Sequence, residues 1–376
     1  MNLLMSDTAV AQRVLDHIAN GTTDMGAEVW HEPVANYRST ARLVREIEQV
    51  LRRRSIAFCP SAALMEPGAY LAREAAGVPI VAVRGRDGVA RAFRNVCRHR
   101  GMRLAEGSGC ANAFVCGYHG WAYGLDGALK AVPHEHGFPG LDKSTHGLVP
   151  LATTERGGLV FVDQAGEGEA TDDLPLILRP DQRLISTIER DIDCNWKLLL
   201  EGFIEGYHIQ ATHPESFLPY GFDNLNVVET IGPNSRVTYP FKRIARLAAV
   251  PPAERKVAGL LTYVYQLFPN VLVTVLSRHT NLVVLEPIAV DRTRQFTYTL
   301  TNGGGEDEEE IALARRDADF VGNTGGNEDR AIVCAIQRGL GSGANEVFTF
   351  GRFEAAIVHF HQQLGEALRD GAPGAG

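Results

Sequence analysis

Two short pairs of metal-binding side chains constrain this sequence more than any other feature. Cys97 and His99 have one residue between them, Cys116 and His119 have two, and sixteen residues separate the pairs. Each pair would place one thiolate and one imidazole on a tight loop. Two such loops facing each other would offer two sulfurs and two nitrogens. A [2Fe–2S] centre with two Cys on one iron and two His on the other requires this set of ligands.

A structural zinc ion is the alternative, because zinc also binds two Cys and two His. Zinc motifs usually pair Cys with Cys and His with His, whereas each pair here is mixed. The single residue between Cys97 and His99 is also unusual for zinc. Gly101, Gly117 and Gly120 flank the ligands, where the backbone must turn sharply beside an inorganic core. We therefore interpret the stretch as an iron–sulfur site, and it resembles the motif of Rieske proteins.

Length and composition describe a soluble protein of ordinary kind. The chain has 376 residues, enough for two domains, with 45% hydrophobic and 22% charged residues. Its net charge of −8 argues against nucleic acid or an anionic membrane as the main partner. No stretch approaches the ~18 apolar residues of a membrane span, and the N-terminus lacks a signal-peptide pattern. Most of the six cysteines are scattered, which favours a reducing compartment and predicts a cytoplasmic protein.

The distribution of apolar runs and turn residues along the sequence predicts two domains of different class. Residues 1–55 contain two amphipathic helices, which we expect to pack with the catalytic domain. Residues 56–165 alternate short apolar runs with glycine-rich turns, as in a compact all-β domain. An acidic, turn-rich linker is predicted at 164–175. Residues 166–376 mix strands and helices, so we predict an α+β chain whose [2Fe–2S] domain is inserted in a helix-grip catalytic domain, an antiparallel sheet covered by helices.

Within the last region, the apolar pattern predicts several specific elements. A strand is expected to lead into a continuous helix that carries Glu201, Glu205 and His208. Three antiparallel strands are predicted at 262–275, 280–289 and 295–301, and helices at 329–338 and 344–368.

A second group of candidate ligands lies on this predicted helix. Glu201, Glu205 and His208 are four and three residues apart, so they share a face of a helix. His213 is five residues beyond His208, but Pro214 disfavours helical geometry at His213 and should end the helix there. Two His and a carboxylate from elsewhere form the facial triad of non-haem Fe(II) oxygenases.

The carboxylate of this triad must come from a distant segment. Asp329 is the best candidate, and Glu328 is the second. A lone Asp ahead of an amphipathic helix is also a common helix N-cap. The residues alone therefore leave open whether Asp329 is the ligand, Glu328 is the ligand, or Asp329 only caps the helix.

Taken together, these motifs resemble the α subunit, the terminal oxygenase component, of Rieske non-haem iron oxygenases. The resemblance extends from the helix near residue 40 to about Phe360. It rests on Cys97-x-His99-Arg-Gly, Cys116-x-x-His119-Gly-Trp, Asn195-Trp196-Lys197, Glu205-Gly-Tyr-His208-x4-His213-Pro, and Glu328-Asp329 before Gln337-Arg338-Gly339-Leu340. It implies these metal ligands: Cys97 and Cys116 for one cluster iron, His99 and His119 for the other, and His208, His213 and Asp329 for the mononuclear iron.

The resemblance also implies an assembly. Family members form head-to-tail homotrimers, in which the cluster of one subunit lies beside the mononuclear iron of the next. A bridging carboxylate links the two His ligands across that interface, and Glu205 occupies its position here. Many ring-hydroxylating dioxygenases have Asp there, whereas Glu is usual in the branch that acts on carnitine, betaine and related quaternary amines, and in some related enzymes. Gly202, where many relatives have Asn, is a second difference from the family pattern, after Glu205.

The function implied is that of an oxygenase component that uses O2 and electrons from a partner. The chain lacks a Gly-x-Gly-x-x-Gly or Walker motif, so a separate NAD(P)H-dependent flavin and iron–sulfur reductase is expected, directly or through a ferredoxin. The substrate is expected to be a small aromatic compound, as in aromatic hydrocarbon catabolism, or a quaternary amine. The reaction is cis-dihydroxylation, monohydroxylation or oxidative demethylation. An electron carrier without oxygenase activity and a zinc-stapled binding protein are the alternatives from other classes.

Overall fold

The computed structural model describes residues 4–166, 177–304 and 307–370. Most of the predicted linker at 164–175 therefore lies outside the described residues. The chain divides into two compact units. Among the described residues, the catalytic unit comprises 4–51, 181–304 and 307–370, and the inserted unit comprises 52–166 and 177–180.

The helices of the described residues lie almost entirely in the catalytic unit. They are α1 (Asp7–Asn20), α2 (Ala35–Arg38), α3 (Thr40–Arg45), α4 (Trp196–Phe203), α5 (Ile209–Thr212), α6 (Glu308–Asn323), α7 (Gly325–Gly339) and α8 (Ala355–Asp370). A π-helical segment, Glu46–Leu51, continues α3. Short 3-10 turns are found at Ser61–Leu64, Glu135–Gly137, Lys143–Thr145, Lys242–Ala249, Pro252–Glu254, Leu340–Ser342 and Arg352–Glu354.

The strands of the described residues belong to both units. They are β1 (Trp30–Pro33), β2 (Ile56–Pro60), β3 (Ala69–Ala75), β4 (Val78–Arg84), β5 (Ala90–Arg94), β6 (Gly107–Cys110), β7 (Phe114–Val115), β8 (Ala122–Tyr123), β9 (Leu129–Ala131), β10 (Pro150–Arg156), β11 (Leu159–Asp163), β12 (Leu184–Ile192), β13 (Val227–Ile231), β14 (Asn234–Pro240), β15 (Leu261–Leu267), β16 (Val271–Val275), β17 (His279–Ala289), β18 (Arg292–Thr301) and β19 (Val347–Phe350).

The inserted unit is built from strands, as predicted. Its larger sheet is antiparallel, with strand order β2-β11-β10-β5-β4-β3-β6, and a second sheet has the order β7-β8-β9. Phe93, Phe114, Trp121 and Leu129 are buried in one hydrophobic cluster. Cys97 and Cys116 belong to this same group of buried residues. The loops that carry the candidate iron–sulfur ligands therefore pack directly on the core of the unit.

The catalytic unit is an antiparallel sheet with helices packed against it. Its strand order is β12-β18-β17-β16-β15-β14-β13. The core brings together Trp196 and Leu199 of α4, Leu272 and Val283 of the sheet, and Phe360 of α8, all of them buried. The predicted α+β class, with an all-β unit inserted in the catalytic unit, is therefore confirmed. No helix within the described residues has both the length and the apolarity to cross a membrane.

A buried ion pair anchors the first turn of α4. Lys197 Nζ contacts both carboxylate oxygens of Glu46 at 2.9 Å, and Trp196 Nε1 donates to Glu46 at 3.0 Å. Lys197 and Glu46 are 1% and 0% exposed. Burial lowers the pKa of Lys197, although the charge of Glu46 opposes this shift. The start of the ligand-bearing segment is thus tied to the N-terminal helices of the same unit.

The helix predicted through Glu205 and His208 is broken, contrary to expectation. It ends at Phe203, and a separate short helix, α5, begins at Ile209. In a continuous helix the N–H of Tyr207 would donate to the carbonyl of Phe203. Instead, the side chain of Glu205 accepts from the N–H of Tyr207 at 2.5 Å, and the hydroxyl of Tyr239 donates to the carbonyl of Phe203 at 3.0 Å. Side chains have replaced the helical hydrogen bonds.

Two other predicted elements are wrong in part. The region 262–275 holds two strands, β15 and β16, which pair with each other. The helix predicted at 344–368 begins only at Ala355, because residues Val347–Phe350 form β19. This strand pairs with β1, so its partner lies near the other end of the chain.

Candidate metal centres

The two cluster loops share one backbone design. In each loop the N–H of the cysteine, Cys97 or Cys116, donates at 2.8 Å to the carbonyl five residues later. The cysteine carbonyl accepts at 2.9 Å from the N–H of the glycine four residues later. These glycines, Gly101 and Gly120, have φ values of 78° and 74°, which side-chain-bearing residues rarely adopt. The same turn therefore presents both mixed ligand pairs.

The sulfur and nitrogen ligands lie on different sides of these loops. Cys97 and Cys116 are 2% and 3% exposed and face the core. His99 is half-buried and His119 is exposed. Their rings lie 4.7 Å apart, and His99 stacks on Trp121 at 5.0 Å. A cluster with one thiolate-bound iron and one imidazole-bound iron fits this separation of ligand types.

Tyr123 adds a contact to this site that the sequence motif does not reveal. Its hydroxyl lies 3.3 Å from Cys97 Sγ and accepts from the N–H of Arg98 at 2.9 Å. Burial, together with Cys97, raises the pKa of Tyr123. The hydroxyl therefore keeps its proton and is placed to donate it to a thiolate.

The second site gathers two histidines and one carboxylate. Ligand atoms of His208, His213 and Asp329 all lie within 4.8 Å of one another. The histidines flank α5, with His208 before its first residue and His213 after its last. Asp329 lies on α7, and its Oδ1 is 2.8 Å from His213 Nε2 and 3.6 Å from His208 Nε2.

The arrangement of these atoms fits a shared metal ion. His213 is fully buried, yet its Nε2 has no hydrogen-bond partner, because the nearby Asp329 oxygen is not aligned to accept one. Two ligands with bonds of about 2.1 Å to one ion lie roughly 3.0–3.4 Å apart at angles near 90–110°. The observed separations of 2.8 and 3.6 Å bracket this range. The three side chains are therefore close enough together to bind one ion.

Each histidine is held at its other ring nitrogen by a glutamate. Glu205 contacts His208 Nδ1, and Glu328 Oε2 lies 2.7 Å from His213 Nδ1. Histidines that bind metals almost always donate their second N–H to a carboxylate, a carbonyl or water. Both Nε2 atoms are thereby left facing Asp329.

The electrostatics of this site favour a cation. Burial lowers the pKa of both His208 and His213, but the neighbouring carboxylates outweigh it and the net shift is upward. The opposing groups are Glu205 and Asp329 at His208, and Asp329 and Glu328 at His213. Positive charge, whether a proton or a metal ion, is stabilised at these imidazoles.

One residue of the predicted helix face lies away from this site. Glu201 accepts from the hydroxyl of Tyr37 at 2.6 Å and contacts His361 Nε2 at 2.8 Å, in a buried network. The break after α4 separates Glu201 from Glu205 and His208, which the predicted helix had placed on one face. Sequence spacing did not predict the contact between Glu328 and His213, because it depends on where α7 packs.

Comparison with known proteins identifies the two units. The family model of the ring-hydroxylating alpha subunit (catalytic domain) matches residues 181–370, half of the chain, and that of the Rieske [2Fe-2S] domain matches residues 55–150. The chain belongs to the Rieske oxygenase alpha subunits. It is therefore the terminal oxygenase component of a Rieske non-haem iron oxygenase, with a Rieske cluster and a mononuclear iron as cofactors. The zinc and electron-carrier alternatives find no support in these matches.

Individual relatives and structures agree with this assignment. A carnitine monooxygenase oxygenase subunit of Acinetobacter pittii is 28% identical over 333 residues, which cover 83% of this chain and 86% of the relative. A glycine betaine monooxygenase oxygenase subunit of Chromohalobacter salexigens is 40% identical over 157 residues, which cover 39% of this chain and 35% of the relative. The crystal structure of a quaternary ammonium Rieske monooxygenase superposes with a TM-score of 0.78 at 22% identity, over 97% of this chain and 99% of that chain, and thus has the same fold.

Proposed function

We propose that this Rieske oxygenase is a monooxygenase of a quaternary amine. The observation that carries the proposal is the similarity, over most of the chain, to a carnitine monooxygenase oxygenase subunit. Glu205 in the bridging position, usual in the quaternary-amine branch, supports it. The expectation of aromatic hydrocarbon catabolism lacks this support and is not carried further.

We assign the metal ligands as the motifs imply. Cys97 and Cys116 would hold one cluster iron, and the imidazoles of His99 and His119 the other. The buried thiols and outward imidazoles described above support this division. His208, His213 and Asp329 would hold the mononuclear iron, and the short distances among their ligand atoms, with the unpartnered Nε2 of buried His213, support that assignment.

The cofactors, when bound, supply electron transfer and O2 activation, and the residues of this chain supply position and protons. Glu205 holds the Nδ1 edge of His208, so that Nε2 is directed to the metal site. Burial of His213 keeps water from one ligand of the site. In this division of labour, residues 56–165 deliver electrons, and residues 166–376 with the helices of 1–55 form the catalytic domain.

We further propose a head-to-tail homotrimer in the cytoplasm. Glu205 would accept a hydrogen bond from His99 or His119 of the neighbouring subunit while it holds His208 of its own. The family implies a partner reductase, and we expect a flavin and iron–sulfur protein that uses NAD(P)H. The outward position of the two cluster imidazoles supports both an inter-subunit contact and access for a reductase.

A substrate screen tests the proposed substrate class. Purified oxygenase with a reductase would be supplied with carnitine, glycine betaine, choline and an aromatic acid, and O2 uptake, product and released peroxide would be measured. We expect O2 uptake coupled to product with a quaternary amine. Coupled turnover of the aromatic acid alone would overturn the proposal.

Metal analysis tests the assignment of two iron sites. We expect about three Fe and two acid-labile sulfides per chain, because the cluster accounts for two of each. Two Fe per chain in active protein would remove the mononuclear site.

A variant at Glu205 tests the proposed bridge. Glu205→Gln should keep both metal centres but slow single-turnover electron transfer between them. The exposed Glu215→Gln in the same segment is the matched control. An unchanged rate in Glu205→Gln would mean that the carboxylate is not needed for transfer.

A further inference from the structure

Glu328, the neighbour of the candidate ligand Asp329, contacts a different edge of the same imidazole. Glu328 Oε2 is 2.7 Å from His213 Nδ1, whereas Asp329 Oδ1 is 2.8 Å from His213 Nε2. Both carboxylates belong to α7, so one helix places a carboxylate oxygen beside each ring nitrogen of His213. The contact between Glu328 and His213 spans 115 residues of sequence.

The Glu328 carboxylate is itself fixed by a buried serine. Ser216 donates its hydroxyl proton to Glu328 Oε2 at 2.6 Å and is only 2% exposed. Ser216 follows His213 by three residues, and its hydroxyl lies 3.3 Å from His213 Nδ1. The glutamate oxygen is therefore shared by the histidine and by the turn that carries it.

A second contact joins the same turn to the first residue of α7. The ring of Phe217 lies 4.6 Å from the ring of His213 and occupies the space above Gly325. A Cβ on Gly325 would lie 2.0 Å from the Phe217 ring, well inside van der Waals contact. A glycine is needed at position 325 because there is no room for a side chain, and not because of its backbone conformation. Its small size lets the ring of Phe217 pack between α7 and His213.

The other histidine is supported differently. His208 is held by Glu205, three residues away on its own segment. Glu205 is also the residue proposed to reach a neighbouring subunit. His213 has no such double role: the contacts that hold it come from α7 and from its own turn.

We propose that Glu328, Ser216, Phe217 and Gly325 form a clamp, here called the His213 clamp, that positions His213 for the mononuclear iron. The inference rests on the proposed assignment of His208, His213 and Asp329 as ligands. Glu328 is a positioning residue in it and not a ligand. By accepting the Nδ1 proton it fixes the tautomer in which the Nε2 lone pair is free to face the ion.

Chelator competition tests the clamp through iron retention. Iron-loaded Glu328→Ala would be titrated with an Fe(II) chelator while the visible spectrum reports the cluster. We expect the mononuclear iron to be held about 10–100-fold more weakly, the range seen for outer-shell partners, with the cluster spectrum unchanged. Glu328→Gln should retain more affinity because its amide oxygen can still accept the Nδ1 proton. The exposed Glu309→Gln is the control for loss of an acidic group on the preceding helix, α6.

The reciprocal variant separates a positioning role from a ligand role. Asp329→Ala should lose the mononuclear iron altogether. If instead Glu328→Ala loses all of it and Asp329→Ala keeps it, Glu328 is the ligand and the clamp is wrong. If the wild-type protein itself holds no mononuclear iron, the proposed function fails rather than the clamp.

A size exchange tests the aromatic arm of the clamp. Gly325→Ala should displace Phe217 and weaken iron retention, and Gly325→Ala with Phe217→Leu should restore part of it, because the smaller side chain vacates the space that the new Cβ needs. Unchanged iron retention in Gly325→Ala would remove this arm. Circular dichroism and the cluster spectrum report whether each variant is folded. Weaker iron retention in a folded Gly325→Ala protein supports this arm, and a folded double variant that regains none of the retention would contradict it.

Discussion

The two metal centres of this chain are built in opposite ways. The proposed cluster ligands all lie between Cys97 and His119, on two loops that are closed by their own backbone hydrogen bonds. The mononuclear site joins α5 to α7, and contacts between these distant segments bring its carboxylate to its histidines. One centre is local in sequence, and the other depends on tertiary packing.

This difference predicts how each centre responds to change elsewhere. The cluster loops need their glycines and the small core beneath them, so they should tolerate changes in the catalytic unit. The mononuclear site needs α4, α5 and α7 in register with one another. It should therefore be the more sensitive of the two to substitution, to loss of packing and to pH.

Asp329→Ala is the largest test of this contrast. The variant removes the only carboxylate that faces both Nε2 atoms among the residues described at this site. We expect loss of the mononuclear iron and a fall in turnover of more than about 100-fold, beyond the range of outer-shell substitutions. Iron analysis, the visible spectrum and coupled O2 uptake measure these effects.

Asp319→Ala on α6 is the matched control, because that side chain is exposed and is not one of the ligand-forming residues of the site. It should leave iron content and turnover unchanged. Should Asp329→Ala also bleach the cluster spectrum, the two centres would not be independently assembled.

Lys197→Met tests the scaffold beneath the mononuclear site. It leaves the buried carboxylate of Glu46 without its closest cationic partner, which typically destabilises a protein by about 3–5 kcal/mol. We expect the lower end of this range, because Arg42 still contacts Glu46 at 3.1 Å. The free energy of unfolding from urea titration, followed by circular dichroism, measures the loss.

An exposed ion pair in the inserted unit serves as the comparison for the buried pair of Lys197 and Glu46. Lys130 and Asp126 are 54% and 55% exposed at their side chains, so Lys130→Met should cost less than about 1 kcal/mol. Equal losses for the two lysine variants would contradict the view that the catalytic unit depends on buried long-range contacts.

The same contrast explains what could be predicted from the sequence. The candidate cluster ligands could be predicted from spacing, because the spacing itself encodes the turn that presents them. His208 and His213 could also be predicted, since Pro214 marks the end of their segment. The choice between Asp329 and Glu328 was not settled by sequence. Neighbouring residues on a helix point in different directions, and which of them faces the histidines depends on how α7 packs.

The errors in secondary structure have the same origin. The apolar pattern of 344–368 suits a helix, but Val347–Phe350 finds a strand partner in Trp30–Pro33, far away in the chain. The apolar pattern also predicted a continuous helix through Glu205. Instead, the hydroxyl of Tyr239, on a strand of the sheet, donates to the carbonyl of Phe203 that this helix would use. Local patterns cannot anticipate partners that only the fold supplies.

The response to pH should also differ between the centres. The pKa values of His208 and His213 are raised, so the iron-free protein gains stability from their protonation below their ordinary value of 6.5, and this gain is lost as pH rises through the raised values. Iron needs the same nitrogens unprotonated, so its affinity falls as pH drops below the raised pKa values, by about 1.4 kcal/mol per unit for each proton displaced.

The cluster imidazole His99 shows the opposite shift. Desolvation, and then His119 and Arg100, lower its pKa. Between about pH 8 and pH 6, across the ordinary range of histidine, we expect mononuclear iron to be lost while the cluster spectrum persists. Iron analysis after gel filtration at each pH gives the result, and loss of the cluster first would reverse the comparison.

Tyr123→Phe is the smallest test and addresses the local centre. The Tyr123 hydroxyl lies 3.3 Å from Cys97 Sγ, and a hydrogen bond to a cluster sulfur stabilises the more negative, reduced state. Removal of a bond worth about 1–1.5 kcal/mol should lower the one-electron reduction potential by roughly 40–60 mV. Tyr118→Phe is the control, because that exposed hydroxyl accepts from Arg100 and contacts no cluster cysteine within the described hydrogen bonds. Redox titration followed by visible circular dichroism measures the shift.

Iron content and chelator resistance of the mononuclear site should not change in Tyr123→Phe, because this contact is confined to the cluster loops. If the Tyr123 variant also weakened iron retention at His208 and His213, the cluster would not be the self-contained centre that its backbone hydrogen bonds indicate.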